Sequence, residues 1–327
     1  MSFTETQPWE DGFAAVYERE IVPRLGPLEK ERKAILARRR RRSYLVAGAA
    51  AVILVLVFAF APGWEVRLIA FAFVAIFGVC GVLVVGSIGQ EDFAGRVKAE
   101  IMPPIADFAG VRFDPQAGER PDIAPFHDTG LVSEHERARY CDGLAGTHRG
   151  VDFSACEASL TRTERTSDSD GKSKTRTVTV FSGVIARFSV PRAAPGTIVI
   201  RRDSGRVLNA VFGFFERQFK GLEKVEIPHA RFEEAFEVRA EDPAAAREFV
   251  TGPFLDALLA IGAGADGEPQ PLGAAFVGDR FYLTLSGREL VSVGPVTESL
   301  AEIEPRLHRT LAEMRFPHRI IDRFYGV

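Results

Sequence analysis

The sequence predicts an α+β protein, built as an N-terminal transmembrane helical hairpin followed by a mainly antiparallel sheet with helices. Three observations predict it. Two charge-free runs of membrane-spanning length stand near the N-terminus, at 43–61 and 68–90. Period-two alternation with turn signals dominates 150–201 and 274–287. Helical segments are segregated to 242–262 and the C-terminal end, the pattern of α+β rather than alternating α/β.

The first run covers about 19 residues, or roughly 28 Å of helix at about 1.5 Å per residue, close to the thickness of a bilayer's hydrocarbon. The second covers about 23 residues, enough to span with some tilt. Pro62 and Gly63 end the first helix, and Trp64 suits an interface. Arg38, Arg39, Arg40, Arg41 and Arg42 abut the first run, whereas the loop between the runs offers only Glu65 and Arg67. Positive residues in short flanks stay cytoplasmic. Carrying one arginine through the bilayer centre costs about 2.5–3.5 kcal/mol on an insertion scale. The expected topology therefore has both termini in the cytoplasm and the loop outside. The same arginines attract anionic head groups at roughly 1 kcal/mol each.

No Asp, Glu, Lys, Arg or His lies inside either run, which argues for an anchor rather than an ion pathway. Ala47 and Ala51, and the ridge Ala72, Ala75 and Gly78, are small residues suited to close helix packing. That packing fits the hairpin itself or a homo-oligomer. Phe13, Val16, Tyr17, Ile21, Leu25 and Leu28 form one apolar helix face. Pro27 is expected to start a new helix there. Phe93, Val97, Ile101 and Ile105 form another face, which Pro103-Pro104 is expected to bend or end.

The expected organisation is a cytoplasmic amphipathic segment over 1–42, the hairpin over 43–90, a membrane-proximal helix and linker over 91–129, and a cytoplasmic domain over 130–327. Residues 110–130 are rich in Pro, Gly and Asp and read as the linker. "EHERARYCDGLAG" reads as a short helix. Strands follow at "GVDFSACEASLTRTE" and "KTRTVTVFSGVIARFSV", with "RTSDSDGKSK" as a solvated hairpin tip, and then at "GTIVIRR". "LEKVEIPHARFEEAFEV" suggests two short strands. Asp242 caps a helix with Pro243 in its first turn. A hairpin turns at Gly278-Asp279, and a final helix carries Pro305 as a local fault.

The order of these landmarks resembles the bacterial DUF3137 family, membrane-linked proteins of unknown function. "YEREIVPRLGPLEKER" precedes the first span. "YCDGLAGTHRGVDFSACEASL" resembles the family's stretch through Asp142, Gly146, Gly150, Phe153 and Glu157. "VFSGVIARFSV" resembles its F-x-G strand at Phe181 and Gly183. "VEIPHARFEEAFEVRAEDPAAAREFVTGPFLDALLAI" and "AFVGDRFYLTL" resemble two later segments, with Thr251-Gly252-Pro253 departing slightly from the pattern. The resemblance implies a bacterial inner-membrane location and a LemA-like membrane partner. It implies no catalytic residue and no cofactor.

Composition excludes some classes. A net charge of −3 provides no global basic field for nucleic acid. Three cysteines, Cys80, Cys141 and Cys156, make no disulfide framework. Cys141, His148 and Cys156 are candidate metal ligands, with His127 and His135 upstream, but the close pairing of a zinc site is missing. Asp142, His148 and Glu157 are the candidates for acid–base work, which needs them to converge on one pocket. Otherwise Asp142 is a turn residue and Glu157 a strand residue bonded to backbone amides. "GAGADG" follows a helix and lacks the Gly-Lys-Ser/Thr ending of a phosphate loop. Phe212, Phe214, Phe215 and Phe219 are expected in a core. With no catalytic signature and a bare anchor, the expected role is a non-enzymatic interaction module at the bilayer. The alternatives are an enzyme acting on lipid or peptide, and an oligomeric structural membrane protein.

Overall fold

A computed structural model describes residues 2–60, 63–87, 89–167, 173–202, 221–262 and 271–324. The phenylalanine cluster at 212–219, the centre of the hairpin tip at 168–172 and positions 263–267 of the "GAGADG" stretch lie outside the described residues. The chain divides into two compact units, Met1–Pro104 with Val293–His308, and Ile105–Ser292 with Arg309–Val327. Residues 293–308 thus group with the N-terminal helices, a pairing absent from the expected division at residue 130.

In the first unit, α1 (Phe13–Val16) runs through a π turn (Tyr17–Ile21) into α2 (Val22–Phe60), a helix of 39 residues. α3 (Trp64–Ser87) follows, and then α4 (Gln90–Ala109). The apolar face expected over 13–28 is buried at Phe13, Tyr17, Ile21, Leu25 and Leu28. Two proline expectations need correction, namely that Pro27 starts a helix and that Pro103-Pro104 end one. Pro27 lies inside α2, and Pro103-Pro104 lie inside α4. An internal proline costs about 3 kcal/mol, but Ile101, Met102, Ile105 and Ala106 around the second pair are all buried. Each large apolar side chain among them gains about 1.5–3 kcal/mol, so burial outweighs the lost backbone bonds.

The second unit is a nine-stranded antiparallel sheet in the order β1-β2-β3-β4-β9-β8-β5-β7-β6. Its strands are β1 (Arg112–Asp114), β2 (Arg137–His148), β3 (Val151–Ser167), β4 (Ser173–Ser189), β5 (Ile198–Arg202), β6 (Glu223–Val225), β7 (Phe236–Ala240), β8 (Leu272–Val277) and β9 (Arg280–Ser286). The helices are α5 (Ala124–Asp128), α6 (Ala230–Glu233), α7 (Pro243–Phe249) and α8 (Gly252–Gly262), with α9 (Glu304–Met314) bridging the division and α10 (Phe316–Phe324) after it.

Register aligns phenylalanines on one sheet face. Phe153 pairs with Phe188, Phe188 with Phe281, and Phe281 with Phe276. Phe249 of α7 meets Phe276 edge-on at 5.1 Å, and Phe254 of α8 meets Phe281 edge-on at 5.6 Å. Edge-to-face contacts add about 0.5–1.5 kcal/mol each beyond burial. On the opposite face, Cys156, Ala158, Leu160, Ile185 and Tyr282 pack with Phe126 of α5 and Val132. The stretch read as a linker therefore contributes β1, α5 and a share of the core.

The helix expected at "EHERARYCDGLAG" is instead most of β2. Its Glu, Arg, Ala and Leu favour helix, but pairing with β3 wins, because strand context overrides local propensity. Glycine permits that pairing. A Cβ on Gly146 would stand 2.9 Å from the Phe153 ring, and one on Gly143 would stand 2.8 Å from Ala117 Cα. Pro305 is no fault in a long helix: residues before Glu304 form a short turn, and Pro305 sits in the first turn of α9, where its missing N–H is harmless.

Candidate functional site

Cys141, Asp142 and Glu157 converge, with one ligating atom of each within 4.8 Å of the others. A register break between Cys141 and Leu144 produces this, and Asp142 takes a left-handed backbone at φ 53°. Asp142 is fully buried, and its N–H donates to Pro115 O at 3.2 Å. Glu157 Oε1 accepts the N–H groups of Leu290 at 2.7 Å and Val291 at 3.1 Å. A carboxylate held by two amides fixes the chain that leaves β9. His148 and Cys156 do not join this group. Cys156 is wholly buried on the α5 side of the sheet, and burial, with Cys141 second, pushes its thiol up to about 12.

His148 belongs to a different cluster. Its Nε2 lies 2.8 Å from Asp322 Oδ1, which also accepts from Arg149 Nε at 2.6 Å. His318 of α10 stacks on His148 at 4.3 Å and meets Phe153 edge-on at 5.6 Å. Burial first, then His148 and Arg315, push His318 down to about 4. The arrangement fastens α10 to the turn between β2 and β3. The separate pair His127 and His135 stacks at 4.9 Å.

A pocket of about 340 Å³ opens where the α5 face of the sheet is left uncovered. Register aligns Arg112 with Ala145, Ala145 with Ser154, and Ser154 with Arg187 across β1 to β4. These residues, with Arg120, Glu119, Asp152 and Phe153, line the cavity. Arg112 pairs with Glu119 at 2.6 Å, Thr147 Oγ1 donates to Asp152 at 2.6 Å, and Arg120 lies 4.7 Å over the Tyr140 ring. Among the described residues, Ser154 Oγ and Arg187 Nε are buried with no hydrogen-bond partner. Sequence reasoning missed this site. Its cations come from β1, the loop after it and β4, and strand register brings Arg112 and Arg187 together.

The apolar helices carry a different surface. In α2 and α3, Leu45, Val55, Phe58, Phe60, Trp64, Phe71, Phe73 and Phe77 are all more than half exposed. Both helices are long and apolar enough to cross a membrane, by length and composition. Close packing between them occurs at small residues: a Cβ on Gly78 would stand 3.6 Å from Ala50 Cβ, and one on Gly81 3.0 Å from Val46. Arg38 Nε donates to Ala34 O at 3.3 Å and Arg40 Nε to the Tyr44 hydroxyl at 3.1 Å, next to the first apolar run.

The model of the DUF3137 family, described as a protein of unknown function, matches residues 179–325. It is the family that the sequence resembles. Phe181 and Gly183 fall inside the match, and the stretch from Asp142 to Glu157 falls before it. None of the curated proteins matches the chain. Among solved structures, the mycobacterial trehalose monomycolate transport factor A, TtfA, is similar at 12% identity, over 69% of this chain and 94% of that one. Its TM-score of 0.30 carries no argument about fold or function.

Proposed function

We propose that this chain, matched over residues 179–325 to the DUF3137 family of unknown function, is a membrane-anchored interaction module. The hairpin of α2 and α3 lies in the bilayer, with its arginine run and both termini on the cytoplasmic side of a bacterial inner membrane. The sheet domain works there by protein contact. One observation carries the reading: two helices of spanning length turn large apolar side chains outward, and five arginines border the first. Water would penalise that surface at about 25 cal/mol per Å², whereas lipid accepts it. Tethering confines the domain near membrane partners and raises their effective concentration.

The sheet supports contact over catalysis. Asp142 and Glu157 approach each other, but Glu157 is bonded to two backbone amides and His148 to Asp322. Two tests address the two halves. Washing membranes with alkaline carbonate leaves an integral protein in the pellet; release into the supernatant contradicts the anchor. Photo-crosslinking groups placed on the exposed edge of β2, at Arg137 and Arg139, should trap a distinct membrane protein, LemA-like or otherwise, in native membranes. Adducts confined to lipid or to a second copy of the chain would contradict the adaptor reading.

A further inference from the structure

We propose that the pocket between β1 and β4 binds the phosphoryl group of a small phosphorylated molecule. Arg112, Arg120 and Arg187 face one cavity from three chain segments. Two of them have no carboxylate partner among the described residues. Among the described residues Arg187 makes no ion pair, and Arg120 is held by the Tyr140 ring, which leaves its N–H donors available. Arg112 pairs with Glu119 on the solvent-exposed side of the cavity. Ser154, only 5% exposed, adds a hydroxyl with no partner among the described residues at the cavity wall.

A buried donor left unsatisfied is costly, and the two residues that carry these orphaned groups sit at paired positions on β3 and β4 beside the cavity. Guanidinium forks match phosphate oxygens in pairs. The two carboxylates do not cancel this field. Glu119 is spent on Arg112, and Asp152 accepts from the Thr147 hydroxyl. The volume exceeds what a bare phosphate needs and falls at the lower end of small-ligand sites. The Asp152 carboxylate can accept a ligand hydroxyl. A phosphomonoester carrying a short polyol fits that chemistry, either as a free metabolite or as a lipid head group.

The test uses the full chain in neutral detergent micelles and titration calorimetry at constant ionic strength. The probes are inorganic phosphate, glycerol 3-phosphate, succinate and phosphatidic acid, with sodium chloride as the blank. Saturable binding of glycerol 3-phosphate is the expected result if the source is free, and of phosphatidic acid if it is a lipid. Arg187→Gln should weaken binding about ten- to a hundredfold, the loss of a charge-assisted pair. Arg120→Gln, on a loop, should weaken it about tenfold, and Arg187→Lys should restore part of the affinity. Far-UV circular dichroism checks that each variant folds. Succinate binding as tightly as the phosphate probes would overturn the phosphoryl assignment. Equal affinity in wild type and both Gln variants, or no heat beyond the chloride blank with any probe, would overturn the site.

Discussion

Replacing Glu29 with alanine should loosen the chain over 296–303 while leaving the sheet domain unchanged. Arg32 is 6% exposed, and its guanidinium makes four hydrogen bonds. Nε and Nη2 engage the two oxygens of Glu29 at 2.8 and 2.7 Å. Nη1 donates to the carbonyls of Val296 at 3.1 Å and Thr297 at 3.3 Å. Glu29 Oε2 also accepts the Leu300 N–H at 3.2 Å. This pair is the polar clasp that holds 293–303 on α2. Removing one partner of a buried ion pair costs about 3–5 kcal/mol. Glu29 keeps some exposure, so solvent screening lowers the expectation to about 2–4 kcal/mol. At about 1.36 kcal/mol per decade, exchange of the Leu300 amide should accelerate roughly 30- to 1000-fold. Hydrogen exchange read by mass spectrometry on the micellar protein measures it. The pH dependence has a definite sign. The hydrogen bond from Arg32 holds the Glu29 carboxyl at about 2, below its ordinary 4.5. The stabilisation is therefore complete above about pH 4.5 and lost as pH falls toward 2. An acceleration below threefold, or one shared equally by peptides of β3 and β4, would refute the clasp.

Other perturbations follow from the same geometry. Gly183→Ala should abolish folding of the sheet domain or cost more than about 2 kcal/mol, read by thermal melting. Its φ of 154° disfavours any side chain, and a Cβ there would overlap the Leu285 carbonyl oxygen. His318→Phe should flatten the decline in stability between about pH 6.5 and 4. A histidine depressed to about 4 binds its proton in the unfolded chain first, so the native state loses stability as pH falls through that window. An unchanged slope in pH-dependent melts would contradict this. Native Cys156 should resist iodoacetamide until the chain unfolds, since it is fully buried and its thiol is pushed up to about 12. Mass spectrometry of the alkylated protein reports that directly.

Some of the architecture was legible in residues alone. The two apolar runs needed only length and the absence of charge, and α2 and α3 cover 43–60 and 68–87 of them. Strict alternation from Val151 onward marked β3 and β4, and Gly278-Asp279 marked the β8–β9 turn, where Gly278 has φ 57°. Asp242 was legible as a cap, and it accepts from Ala244 and Ala245. What stayed hidden depends on distant partners. β2 carries helix-favouring residues and becomes a strand only because β1 and β3 flank it. Pro103-Pro104 stay helical because of what Ile101 and Ile105 bury, which no local rule reveals. The candidate residues were split for the same reason. Asp142 and Glu157 meet through a register break, while His148 is drawn to Asp322, 174 positions away. Two glycines acquire a physical basis: Gly146 leaves room for the Phe153 ring, and Gly183, inside the family match, lets β4 approach β9.

The proposed anchor is a two-pass hairpin whose arginine-bearing end faces the cell interior. Its most direct measurement is labelling of single cysteines, at Gly63→Cys in the loop and at Lys98→Cys after the second run, in a background with Cys80, Cys141 and Cys156 changed to alanine. An impermeant maleimide added to intact spheroplasts should label position 63 and spare position 98 until the membrane is opened. Labelling of both positions, or of position 98 alone, in sealed spheroplasts would contradict the proposed topology.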